Sequence, residues 1–338
     1  MIKLTLCRIR LLACCAVAIS AASFTCLEST TSTVLNGPAS PVFVGERIFV
    51  ANSESANLSL LRTTQCLPAD NGRVAVGNGP TGVAVSPNGT RVYVTNYDDN
   101  SVSVLDPSTN SVVGTVPVGS KPFGIAINSA GTRAYVTNAG ANSVSVLDLT
   151  NNSSLTTITV GGSPFGIAIA PDGTRAYVTN FRDGTLSVLN TSTNAAIGTV
   201  SGLQAPFGIA IVAAGTRAYV VETGRNRVAI IDTATNTIAA SVRVGNAPLR
   251  LAIDSSGGRA YVINAGSSSM SVIDFATNTV VATVPLGKSP SDVVVDRTAS
   301  RAYITNYGDD TLSVIDTSAN QLIGNVPVGN KPRSLALN

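Results

Sequence analysis

The sequence predicts an all-β fold, a seven-bladed β-propeller of four-stranded antiparallel blades, and three observations lead there. A tyrosine recurs every 42 residues, at Tyr93, Tyr135, Tyr177, Tyr219, Tyr261 and Tyr303, and Phe49 stands 44 residues before the first, so the chain holds seven copies of one unit. Each unit reads as four short segments rich in β-branched residues, here called A to D, of the types GIAIN, RAYVTN, SVSVLD and GTVPVG, punctuated by Gly, Asn, Asp and Pro. Four antiparallel strands at a period of about 40–45 residues are the pattern of propeller blades. The third observation lies at the ends. Segment A of the first copy is truncated, whereas an extra segment A, Arg333 to Asn338, follows the seventh. That strand is expected to enter the first blade as its inner strand and close the ring. The physical reason for a ring is that one such sheet has two apolar faces. Stacking around an axis covers both on every blade, and closure protects the first and last.

In chain order, residues 1–26 open with Lys3, Arg8 and Arg10 and continue in an apolar run from Leu11 to Phe24. The small residues Ala18, Ser20, Ala21 and Ala22 follow the pattern of a secretory signal cleaved near Ala22, and the run is short for a membrane span. An uncleaved anchor, or lipidation at Cys14, are the competing readings. All five cysteines lie at or before Cys66. Cleavage near Ala22 leaves Cys26 and Cys66 as a candidate disulfide in an oxidising compartment, the alternative being that Cys26 is lost or free. Residues 27–41 are Ser/Thr/Pro-rich and read as a linker, and residues 42–338 as the propeller. The expected location is therefore periplasmic, secreted or at the cell surface, with no membrane span after signal removal. The formal charge of +3 is carried by the leader; without it 19 basic residues face 19 acids. No basic stripe for nucleic acid follows from such a balance.

The segments GTRVYVTN, GTRAYVTN (twice), GTRAYVVE, GGRAYVIN and SRAYITN resemble the YVTN family of β-propeller repeats, found in archaeal surface-layer proteins and bacterial periplasmic propellers. The resemblance covers residues 77–338 well and 42–76 loosely. It implies the propeller scaffold and says little about function. Within the unit, Arg91, Arg133, Arg175, Arg217, Arg259 and Arg301 open segment B, and Asp106, Asp148, Asn190, Asp232, Asp274 and Asp316 close segment C fifteen residues on. A four-residue B–C turn sets each Arg opposite its partner, so five repeats are expected to carry a cross-strand Arg–Asp pair. The recurring tyrosine is expected to pack between blades. Turns such as SPNGT and APDGT offer too few oxygens for a metal.

No histidine occurs anywhere, which excludes Ser-His-Asp triads and His-containing zinc or iron sites. No catalytic, metal or cofactor constellation stands out. Antiparallel turns alternate between the two faces of a propeller, so the B–C and D–A loops share one face, and these loops vary most. Tyr97, Phe181 and Tyr307, with Phe123, Phe165 and Phe207, form a candidate aromatic rim there, whose competing reading is local packing. Glu222 replaces the usual Asn at the end of segment B. With Arg182, Arg225, Arg227 and Arg250 it marks a candidate anion pocket over blades four to six, or else merely pairs with one of those arginines. The expected function is a non-catalytic extracytoplasmic binding or surface scaffold, presenting one face to a protein, glycan or small anionic ligand, with a monomer expected. The alternatives are a lactonase- or lyase-like propeller enzyme and a periplasmic nucleic-acid-binding propeller.

Overall fold

A computed structural model describes residues 47–63, 68–254, 258–296 and 300–338. The leader, the linker, residues 42–46, and Cys26 and Cys66 with the disulfide expected between them lie outside the described residues. Seven four-stranded antiparallel sheets form a seven-bladed propeller. Blade 3 is typical. Its strands A to D run Pro122–Ile127, Arg133–Asn138, Ser143–Asp148 and Ser153–Thr159, ordered from the axis outward. Blade 1 is completed from the far end of the chain: Pro332–Leu337 pairs antiparallel with Arg47–Asn52, Phe49 opposite Ala336, and supplies the inner strand. The three-plus-one closure read from the sequence is thus present. A single 3-10 turn, Thr223–Arg225, is the only helical element among the described residues.

The register explains why RAYVTN is buried on both sides. Alternate residues of a strand point to opposite faces. In strand B of each blade the tyrosine faces the next blade, while Ala and Val face the previous one. Tyr93, Val102 and Val104 of blade 2 meet Ala134, Val136 and Leu147 of blade 3 in one apolar cluster. The same arrangement recurs at Tyr135 on Ala176 and Val178, and at Tyr177 on Ala218 and Val220. Tyr303 of blade 7 packs on Ile48 and Val50 of blade 1, and Phe49 takes the tyrosine's place on Val92 and Val94 of blade 2. The core is therefore a set of blade-to-blade interfaces, and a closed ring leaves none unpartnered.

Polar contacts tie the blades nearer the axis. Thr95, Thr137 and Thr179, the threonines of the repeat, donate to the carbonyls of Phe123, Phe165 and Phe207 in the next blade at 2.8, 2.9 and 2.6 Å. Each accepts from a glycine N–H of its own inner strand at 2.7–2.8 Å. A Cβ at Gly82, Gly124 or Gly166 would overlap those same Phe carbonyls, so the close approach itself demands glycine.

On the opposite face the expected Arg–Asp register is present, for example Arg133 opposite Asp148 and Arg301 opposite Asp316. The expected ion pair, however, is found only between Arg91 and Asp106, at 3.0 Å, among the described residues. Arg133, Arg259 and Arg301 instead donate to the carbonyls of Thr191, Thr317 and Thr63 in the next blade, at 3.0–3.4 Å, and Arg175, which faces Asn190, and Arg47, which faces Arg62, reach Thr233 and Pro107 in the same way. The aspartates are occupied by their own C–D turns. Asp148 accepts from the Thr150 amide and hydroxyl, and Asp316 from Ser318 and Ala319. The turn bond does not itself exclude the pair: Asp106 accepts from Ser108 through Oδ1 and from Arg91 through Oδ2.

Candidate ligand-binding face

The B–C and D–A loops share one face, and the inner strands rise to it. In six blades strand B ends in a buried asparagine whose amide donates to two strand-C side chains. Asn138 reaches Ser143 and Ser145 at 3.1 and 2.9 Å, and Asn264 reaches Ser269 and Ser271 at 3.2 and 3.0 Å. Blade 5 departs at all three positions together, with Glu222, Arg227 and Ala229. The Glu222 side chain is fully buried. It pairs with Arg225 at 3.1 Å and with Arg227 at 2.5 Å, and accepts the Gln204 amide at 2.8 Å. The carboxylate–guanidinium pair stands where the amide–hydroxyl contacts stand elsewhere, so the change in blade 5 is a coupled exchange of one strand-linking device for another.

The five charged residues taken together from the sequence therefore divide. Glu222, Arg225 and Arg227 form one ionic cluster, with Arg225 also bonded to the Gly202 carbonyl at 2.8 Å. Arg182 is 63% exposed, lies 3.7 Å from its neighbour Asp183 and leans over Gly162. Arg250 turns elsewhere, to the axis. Of the aromatic residues, Phe181 joins Phe165 and Phe207 at centroid distances of 5.5 and 6.2 Å. Tyr97 carries the Lys121 ammonium 5.6 Å above its ring, and Tyr307 lies 5.2 Å from both Lys331 and the Arg333 guanidinium.

The axial mouth gathers the rest. Phe123, Phe165 and Phe207, from the same position of three successive inner strands, pack on one another at 4.7, 4.8 and 5.6 Å between centroids. The Arg250 guanidinium lies 5.4 Å from the Phe123 ring and 5.8 Å from that of Phe207. Blades 3 and 6 are as far apart as a ring of seven permits, so this contact spans the axis. Arg250 lies within the register shift between Pro248 and Leu251, an irregularity that recurs at the same place in the inner strands of blades 2 to 7. Beside it, Asp292 of blade 7 accepts from the Ser334 hydroxyl at 2.7 Å, from the Leu335 amide at 3.3 Å and from its own neighbour Val293 at 2.9 Å. Arg250 Nε and Asp292 are 3.8 Å apart. Sequence reasoning named Arg250 but assigned it to the wrong neighbours, and it left out Ser334. The signal was in the alignment of the repeats on one another: the inner-strand column reads Gly82, Gly124, Gly166, Gly208, then Arg250, Asp292, Ser334.

On the opposite face a groove of about 560 Å³ lies between blades 4 and 5, lined by Asp172, Arg175, Tyr177, Thr216 and Asp232. Its polar groups are engaged by the fold. Arg175 donates to Thr233, Asp172 accepts from Thr174, and Asp232 accepts from Ala234 and Thr235. Among the described residues there is no cluster of three or more potential metal ligands.

Comparison with known proteins agrees with this architecture. The family profile of YNCE-like beta-propellers matches residues 120–320, and that of seven-bladed lactonase propellers matches residues 46–160. Among solved structures, a protein of unknown function from Desulfotomaculum acetoxidans superposes with a TM-score of 0.77 at 17% identity, covering 86% of this chain and 98% of that one. Hydrazine synthase of Kuenenia stuttgartiensis gives 0.69 at 23%, covering 76% and 88%. Dihydro-heme d1 dehydrogenase NirN in complex with DHE gives 0.62 at 15%, covering 86% and 74%. At these identities the likeness is one of fold. A 38-residue stretch, 11% of the chain, is 58% identical to the PE-PGRS family protein PE_PGRS18 of Mycobacterium tuberculosis, and it spans 8% of that protein's length.

Proposed function

The chain belongs to the YNCE-like β-propeller family, and from that premise we propose that it is an exported, non-catalytic binding protein whose B–C and D–A loop face holds its ligand. Its Tyr-Val-Thr-Asn strands resemble those of YVTN-type repeat propellers, which supports a scaffold of that kind in this reading. The observation that carries the reading is the axial mouth. There three inner strands exchange the glycine of the repeat for Arg250, Asp292 and Ser334, opposite three phenylalanines. Three neighbouring inner strands break the repeat together at one end of the axis, and binding residues gather where rigid strands present loops and strand ends. The phenylalanines and Arg250 meet across the axis on this face.

The test is the melting temperature of the purified chain against organic anions, sugars, nucleotides, single-stranded DNA and divalent metals. A ligand of the native state at 100 times its Kd adds about 2.7 kcal/mol and must raise the melting temperature. A rise with one class supports a binding role, and a flat response to every class argues against it. A second reading, a lactonase-like enzyme, is favoured by the profile match over residues 46–160. Turnover of any lactone in a hydrolysis panel, abolished by Asp292→Asn, would replace the first reading with the second.

A further inference from the structure

We propose that the axial mouth binds a carboxylate carried on a flat apolar body, an arene carboxylate in chemical class, with Arg250 receiving the acid group. The proposal rests on the reading of this face as the binding face and specifies its ligand. Three observations carry it. Arg250 is four-fifths buried, its side chain being 19% exposed, yet it makes no hydrogen bond among the described residues; its contacts are two phenylalanine rings and one carboxylate oxygen at 3.8 Å. A guanidinium offers five N–H donors in a planar fork, and in Arg250 these donors are not taken up by the fold. A ligand entering the mouth can therefore meet them with its own acceptors without displacing a protein contact.

Asp292 does not meet them. Both of its oxygens already accept from Ser334, Leu335 and Val293. The carboxylate is fixed by blades 7 and 1, and its approach to Arg250, 3.8 Å from Nε, is beyond hydrogen-bond reach, which leaves the guanidinium donors for another acceptor. Finally, the mouth is divided by polarity. At one inner-strand position it carries Phe123, Phe165, Phe207 and Leu249 over blades 3 to 6, and Ser291, Arg333 and Thr81 over blades 7, 1 and 2. A ligand with an arene at one end and an acid at the other matches that division, since the rings offer edge and face contacts and Arg250 lies between the halves. Asp292 beside Arg250 also disfavours a doubly charged phosphate, which would meet a fixed negative charge, relative to a singly charged carboxylate.

The experiment titrates the full chain with benzoate and with benzamide, its neutral analogue of equal shape, by calorimetry and by melting temperature. Saturable benzoate binding is expected, with benzamide at least about tenfold weaker, because the charged pair is the stronger contact. Arg250→Gln is expected to lose the benzoate preference. Arg250→Lys, which keeps the charge and loses the planar fork, is expected to bind about tenfold more weakly than the native chain while melting within a few degrees of it. Equal binding of benzoate and benzamide, or native benzoate affinity in Arg250→Gln, would overturn the proposal. Absence of benzoate binding while another ligand class raises the melting temperature would remove the arene-carboxylate site and leave the binding face standing. A flat response to every class would remove both.

Discussion

Blade 5 offers a direct test of whether Glu222 is a structural member of the fold. Six blades join strands B and C through an asparagine amide and two strand-C side chains, as Asn180 does with Thr185 and Ser187 at 2.9 and 2.8 Å. Blade 5 joins them through Glu222 and Arg227. Glu222→Asn alone would leave the Arg225 and Arg227 guanidiniums without their carboxylate and the Gln204 amide without its acceptor. Removing one member of a fully buried pair costs about 3–5 kcal/mol. Here the arginines are 40% and 28% exposed, so water recovers part of that, and a loss of about 2 kcal/mol is expected. At roughly 2–4 °C per kcal/mol in a domain of this size, the melting temperature should fall by about 5 °C. The triple substitution E222N/R227S/A229S reinstates the pattern of the other blades. Two neutral hydrogen bonds of about 1 kcal/mol each should return most of the loss. Thermal and urea melts by circular dichroism read both variants. A triple variant no more stable than the single one would refute the exchange of one device for the other, as would a single variant of native stability.

Other expectations follow from the same geometry. Gly208→Ala would set a Cβ 2.6 Å from the Leu249 carbonyl oxygen and 2.8 Å from the Arg250 Cα; a loss of about 1–3 kcal/mol is expected in a urea melt, since overpacking forces backbone to move. Deleting residues 332–338 would strip the inner strand from blade 1 and uncover Phe49 and Val50, so the melting temperature should drop sharply; an unchanged melt would refute closure by this strand. Asp106, Asp148, Asp232, Asp274 and Asp316 are held below the ordinary carboxylate pKa, chiefly by hydroxyl and amide hydrogen bonds of their C–D turns. A depressed folded pKa gives stability that is present above the unfolded value and lost as pH falls through the folded one, so melting temperatures should decline below about pH 4. Burial raises Tyr93, Tyr135, Tyr219 and Tyr261 above the ordinary phenol pKa. Their contribution is complete below the unfolded value and fades as pH rises past about 10, which an alkaline melt series would detect.

The ring, the blade register and the closing strand were legible because the repeat is written in every copy. A 42-residue tyrosine period fixes the blade, and the four-residue B–C turn fixes that Asn96 opposes Ser101, as observed. The fate of Arg133 was not legible. Register places it opposite Asp148, yet the choice between that carboxylate and the Thr191 carbonyl depends on the distance to the next blade, which a single repeat does not encode. Arg250 was mis-grouped for a related reason. Nearness in sequence suggested Arg225 and Arg227 as companions, whereas its side chain reaches across the axis to a ring three blades away. Contacts across a propeller axis leave no trace in local spacing. They leave one in the column of residues that replaces an otherwise repeated glycine.

The most direct test of the binding face is hydrogen exchange of the full chain, with and without the compound that raises its melting temperature most. Protection is expected in the D–A loops and inner-strand starts at residues 119–124, 161–166, 203–208, 245–250 and 287–292. Protection confined instead to the A–B turns of the other face, at residues 86–91, 128–133 and 170–175, would contradict the assignment of the face and of Arg250 as its centre.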